Sequence, residues 1–336
     1  MIRAATKSGR LRPLMRPRSV SASLLCPLAL AWLGTTCATY AEPRCQVGAD
    51  CQSGICNADG TCAPAPTGGS TAGGTGGAGS SASASSSTGA TGTGGDTACI
   101  PNHDGDITRQ EVPLAAGLHA TFSVTGAVTY DTTGTKQPDG SRVWDLTLAF
   151  PGDHPLVLDT LAIDPAAWYA GSFPGASYAA RLSEQDANAD LLGIFELTDA
   201  ALLLLGVASA MDGPKATKLV YAKPIVVLAF PLTAGKSWDT LSAVTGKVQG
   251  ITIAGIYNEE YTSTVDAHGT LKTPYADFPV LRVSTKFLRF LNGIYTTKYT
   301  DTFVTECFGT VGTLISKDNE TSPEFTSNAE LWRFSK

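Results

Sequence analysis

The chain predicts an all-β protein, an antiparallel β-domain preceded by a small disulfide-rich module and a flexible linker. Three observations carry that prediction. Residues 98–336 hold long runs rich in Val, Ile, Thr, Tyr and Phe, broken by Gly, Asn and Asp. Ahead of them lies a stretch of almost pure Gly, Ser, Thr and Ala, and ahead of that Cys45, Cys51, Cys56 and Cys62 crowd into "CQVGADCQSGICNADGTC".

Residues 1–41 read as a secretory signal. Arg3, Lys7, Arg10, Arg12, Arg16 and Arg18 form a basic start, "VSASLLCPLALAWLG" is an apolar run of roughly 15 residues, and small residues precede Glu42. The run is short for a bilayer span, which needs about 20 apolar residues. Two exits are open: cleavage after Ala41, or lipidation of Cys37 in "LGTTC", a degraded lipobox that would anchor the protein to a membrane. Both place the mature chain outside the cytoplasm. Removing these residues takes the formal charge from −6 to −12, since they carry six basic side chains and no acidic one. So acidic a protein, without a basic patch, is a poor match for nucleic acid or for an anionic membrane surface.

Residues 42–62 form the disulfide-rich module, spaced C-x5-C-x4-C-x5-C. In an exported chain this pattern favours two disulfides over a zinc site, because no C-x2-C and no nearby His is present. The "DCQSGIC" portion resembles the short Cys-rich repeats of myxobacterial surface proteins, a resemblance that implies no activity. Residues 63–97 cannot bury enough apolar surface to offset the cost of ordering, so they predict a tether with a root-mean-square span of roughly 30 Å.

The β-domain spans residues 98–336. "GLHATFSVTGAVTYDTTG", "SRVWDLTLAF", "KLVYAKPIVVLAFPL" and "FPVLRVSTKFLRFLNGIYTTKYTDTFVTECFG" read as long antiparallel strands. "DLLGIFELTDAALLLLGVASA" is too uniformly apolar for periodicity to separate helix from hairpin; "TDA", Gly193 and Gly206 favour the hairpin. "PAAWYAGSFPGASYAARL" predicts aromatics packed beneath a loop. The order "YAKPIVVLAFPLTAGKSW", "VDAHGTLKTPYADFPVLRV", "ECFGTVGTL" resembles extracytoplasmic bacterial proteins of the DUF3108 type. That resemblance covers Tyr221 to Leu314 and implies a curved antiparallel sheet or half-barrel, with Trp238 as a core anchor and no catalytic residues. Cys99 and Cys307 are expected to pair, tying the start of the domain to a late strand.

One stretch carries metal chemistry. Aligning Gly105 of "PNHDGDITRQE" with the invariant glycine of an EF-hand loop puts Asn102, Asp104, Asp106, Thr108 and Glu111 at the calcium-ligand positions. The first ligand is missing, since Ile100 stands there, and no helices flank the loop. A turn in which Asn102 and Asp104 bond nearby backbone amides is the stronger expectation.

His103, His119, His154 and His268 form no H-E-x-x-H or i, i+4 pair, and the β-domain has no G-x-S-x-G, P-loop or G-x-G-x-x-G motif. Asp145, Asp153, Asp159 and Asp164 could supply a carboxylate pair, but strand edges and turns explain them as well. Trp144, Trp168, Trp238 and Trp332 could line an apolar pocket or fill the core. The sequence thus points to a noncatalytic exported or surface binding protein for a hydrophobic small molecule or a surface partner, with no cofactor except, in one reading, calcium. A secreted hydrolase assembled only by the fold and a structural surface protein are the alternatives.

Overall fold

The computed structural model describes residues 99–182, 191–253 and 257–336. The readings placed on residues 1–98, including Cys37, Cys45, Cys51, Cys56, Cys62 and the linker, lie outside the described residues.

β1 (His119–Thr129) leads into a short hairpin, β2 (Thr135–Lys136) and β3 (Arg142–Asp145), and the chain returns as β4 (His154–Leu161). A meander follows through β5 (Tyr178–Arg181), β6 (Leu191–Leu197), β7 (Ala201–Ser209), β8 (Lys218–Ala229) and β9 (Ser237–Val248). After the short β10 (Ile251–Thr252) come β11 (Tyr257–Lys272), β12 (Asp277–Leu291), β13 (Ile294–Thr305), β14 (Gly309–Ser316) and β15 (Ser327–Phe334). Twelve of these strands pair antiparallel in the order β1, β4 to β9, β11 to β15, and β15 pairs back onto β1. The curved sheet therefore closes into an up-and-down barrel, and closure removes the exposed edges that an open sheet would carry. β3 lies parallel to the part of β11 that β9 leaves free.

Alternation explains which face each strand buries. Along β9 the inward positions Trp238, Thr240, Ser242 and Val244 are buried or half-buried, while Ser237, Asp239, Leu241, Ala243 and Thr245 are exposed. Among the described residues no helix is long and apolar enough to cross a membrane. The interior is filled over much of its length by Phe195, Leu204, Ile225, Leu228, Val265, Leu281, Val283 and their neighbours.

Two outer layers break the alternation. "DLLGIFELTDAALLLLGVASA" is the β6–β7 hairpin, apolar on both faces because Tyr169 and Phe173 of the preceding loop cover Ile194, Leu205 and Ala208 from outside. A Cβ at Gly206 would overlap the Leu219 carbonyl oxygen and the Phe173 ring, so the loop can sit this close only on glycine. On the opposite side, the segment carrying β2 and β3 covers β11 to β14, burying Trp144 completely, with its Nε1–H donated to the Thr132 carbonyl at 2.9 Å. At the β12–β13 turn, Asn292 and Gly293 both take positive φ, 49° and 86°, as a tight two-residue hairpin requires.

One seam in the wall is held differently. β8 and β9 share ladder bonds only between Lys218–Tyr221 and Val244–Lys247, because Pro224 can donate no N–H. Side chains of β9 take over: Ser242 accepts the Lys223 amide at 3.0 Å, Thr240 accepts the Val226 amide at 3.3 Å, and Trp238 donates to the Val226 carbonyl at 2.9 Å.

Candidate functional site

The N-terminal segment of the domain runs across one end of the barrel as a strap. Ile107 and Val112 are buried with the interior residues, Ile107 exchanges both backbone bonds with Leu232, and Cys99 is disulfide-bonded to Cys307. Glu306 fastens the strap further by accepting the Asn102 amide at 2.7 Å and the His103 amide at 3.2 Å.

The calcium-loop candidates fall on this strap, where they bond one another. Asn102 Oδ1 accepts the Asp104 amide and Asp104 Oδ1 accepts the Asp106 amide, both at 2.9 Å, as successive Asx turns do. Asn102 Nδ2 donates to Asp104 at 3.2 Å and to Glu111 at 2.7 Å, and Glu111 closes a capping box with Thr108. Among the described residues no group of three or more His, Cys, Asp or Glu side chains is arranged to hold a metal ion.

Beneath the strap, Leu114, Leu118 and Phe308 border a cavity of about 330 Å³ inside the barrel. Its walls come from opposite sides: Ala120, Phe122, Leu158, Ala180, Phe195 and Leu202 on one, Thr302, Thr313, Ile315 and Trp332 on the other. Register shows that the second set faces inward, because Thr302 pairs with Thr313 and Thr313 with Trp332 in one row of side chains. On β13 the outward residues Tyr299, Asp301 and Phe303 are buried, whereas inward Thr300 and Thr302 are only half-buried. The inner surface is therefore the accessible one here, which marks an open cavity and not a filled core. Tyr178 also lines the cavity, and burial pushes its phenol well above the usual range. The volume lies at the small end of the roughly 300–1,000 Å³ typical of ligand pockets.

The other sequence candidates scatter. Asp145 and Asp164 cap local turns at Thr147 and Ala166, Asp153 pairs with Arg333, and Asp159 is an exposed strand residue. His154 sits at a turn, bonded to the Gly152 carbonyl. His103 lies 3.9 Å from Glu306 and, with His268, borders a cleft under the strap. Trp332 lines the cavity, Trp144 belongs to the outer layer, Trp238 holds the seam, and Trp168 lies under the ammonium groups of Lys218 and Lys247.

Two buried charge networks escaped the sequence reading. Inside the barrel, Glu259 is 1% exposed and accepts hydroxyls from Tyr221, Tyr257 and Tyr261 at 2.8, 2.6 and 2.8 Å, plus Arg289 Nε at 3.1 Å. All three phenols are held far above their usual range, first by burial, with this carboxylate adding to the rise. The i, i+2 spacing of "YNEEY" puts Tyr257, Glu259 and Tyr261 on one strand face, a signal that could have revealed the cluster.

Outside the barrel wall, Arg282 is fully buried and bonds Asp266 at 2.6 and 2.9 Å, Glu324 at 2.9 and 3.0 Å, and the Thr132 carbonyl at 2.8 Å. Arg142 joins Glu324 at 2.6 Å, and Asp301 stands 3.4 Å from Arg282. Three carboxylates thus share two guanidiniums. Asp301, the most deeply buried and most distantly paired of the three, has its pKa pushed up to about 7 by desolvation. Glu324 is instead held down at about 2; burial raises it, but bonds from Arg282 and Arg142 prevail.

Asp301 sets a pH dependence. Between its unfolded value of 3.8 and its folded value of about 7, the folded protein binds the extra proton, so stability falls as pH rises through that window. Asp301→Asn should flatten the fall, as measured by urea unfolding at pH 4.5, 6 and 7.5; an unchanged slope would assign it to other groups. Glu324 acts in a separate window, its contribution being lost as pH falls from 4.5 toward 2.

Fold and site define a closed antiparallel barrel with an open apolar cavity. No protein-family model matches the chain, and none of the curated proteins does, so the resemblances to DUF3108-type proteins and to Cys-rich repeats rest on their motifs alone. Among solved structures, a Bacteroides fragilis protein described as exported and as having a YmcC-like fold matches at 11% identity and a TM-score of 0.30. The match covers 71% of this chain and 97% of that one. At that score the likeness carries no argument about function.

Proposed function

We propose that this is an exported, noncatalytic binding protein that holds a hydrophobic small molecule inside the β-domain. The observation that supports this reading is the open apolar cavity beneath the strap, lined from opposite walls and accessible at Thr302, Thr313 and Ile315. The strained acids and tyrosines are engaged in structural networks on other elements: Glu259 spends both oxygens on four donors, and the Arg282 carboxylates lie on the outer side of the wall. The signal-like first 41 residues and the linker support export and display away from a surface. The charge of −12 left once the basic start is removed argues against nucleic acid as a partner.

Nile red, an uncharged dye that brightens in apolar surroundings, should bind the purified protein, and Thr302→Phe should abolish that binding by filling the cavity while leaving the β-sheet circular dichroism unchanged. Binding that survives both Thr302→Phe and Thr313→Phe would place the dye elsewhere and defeat the reading.

A further inference from the structure

Resting on that reading, the cavity also specifies the charge of its occupant. An imidazole and a guanidinium border it, those of His119 and Arg181, yet strand alternation turns both side chains away. His119 pairs with the exposed Asp159, one residue before the inward Ala120–Leu158 pair. Arg181 lies between Ala180, which packs in the interior, and Leu182, and shares the outward parity of Ala179, which is buried in the outer layer. Both side chains therefore belong to the cavity's rim and not to its inner surface.

Among the residues that line the cavity, neutral hydroxyls face inward. Thr302 and Thr313 stand directly opposite each other on β13 and β14. Tyr178, only 3% exposed, stands on the other wall, its phenol within electrostatic reach of the Arg109 guanidinium. These three hydroxyls meet no hydrogen-bond partner among the described residues, whereas Thr160 spends its own on the Ala115 and Leu118 carbonyls. Behind Trp332, the inward Glu330 carboxylate accepts the indole N–H at 2.6 Å and is 2% exposed. An ionised acid entering between Thr302 and Thr313 would give up its hydration for hydroxyls alone.

We propose that the cavity selects an uncharged, largely apolar molecule with a single hydrogen-bonding oxygen, of the class of long-chain alcohols and their esters, the oxygen seated between Thr302 and Thr313. A neutral oxygen can both satisfy and be satisfied by hydroxyls, and the rest of such a molecule matches the Phe122, Leu158, Phe195 and Leu202 wall.

The test displaces Nile red from the purified full-length protein at pH 8 with dodecanol, dodecanoate and dodecyltrimethylammonium, which share a chain length and differ in charge. Dodecanol should compete at least about tenfold better than either ion, the factor that one unpaired buried charge or one lost charge-assisted bond produces. Thr302→Val with Thr313→Val, an isosteric pair, should weaken dodecanol roughly five- to tenfold. Equal or better competition by either ion, or no effect of the paired valines, overturns the neutral-ligand assignment while leaving the cavity as a binding site. Failure of Nile red to respond to Thr302→Phe would instead remove the cavity itself.

Discussion

Arg282→Met should lower the stability of the β-domain by about 3–5 kcal/mol, the largest expected loss from a single side chain in this protein. The guanidinium is fully buried, lies 5.5 Å from the Trp144 ring centre and holds Asp266 and Glu324 through four short bonds. Methionine fills much of the same volume but leaves Asp266, Asp301 and Glu324 gathered under the β2–β3 cover with Arg142 as their remaining cation. Equilibrium urea unfolding at pH 7 measures the loss, and it should shrink at pH 5, where Asp301 takes up its proton. A loss below about 1 kcal/mol would mean that the network is solvated and no longer merits the word buried.

The disulfide is the second large contributor. Cys99 and Cys307 are 208 residues apart in sequence, and closing so long a loop restricts the unfolded chain by about 5 kcal/mol on the chain-entropy model. Cys99→Ala with Cys307→Ala should therefore cost about 2–5 kcal/mol in denaturant unfolding, and reduction of the native protein should cost the same. Beyond global stability, the bond pins the strap. Limited proteolysis of the alanine pair should cut first within residues 99–114, whereas cleavage beginning in the barrel strands would show that Ile107, Val112 and Glu306 hold the strap without it.

Much of the barrel was readable in the chain, for reasons that can be located. β9 and the β12–β13 hairpin alternate or carry Asn-Gly turns, and both signals are local. The β6–β7 run was legible only through its punctuation at "TDA", because it is buried on both faces and so lost its period. Closure was hidden, since it depends on β1 meeting β15 about 200 residues later. Arg282 misleads for a related reason: in "FPVLRV" it occupies an outward strand position, which normally means solvent, and the distant Trp144 segment supplies the cover. Thr302 and Thr313 look like any strand threonines until register places them across from one another on a cavity wall. In the Asn102 to Glu111 stretch, read as a turn in which Asn102 and Asp104 bond nearby backbone amides, those side chains accept the Asp104 and Asp106 amides, while its metal chemistry stands as the sequence left it.

The meeting of β1 with β15 also governs the order in which this protein can assemble. A chain made from its amino terminus delivers β1 early and β15 last. Until Ser327–Phe334 arrive, β1 and β14 each keep a bare row of amides and carbonyls, and neighbouring copies could zip onto them. Hairpins such as β6–β7 and β12–β13 can form early, but the ring is completed in one late step between its first and last staves. The barrel thus trades a durable, edgeless finished form for a vulnerable interval before its last strand arrives, when neighbouring nascent copies can pair with its open edges.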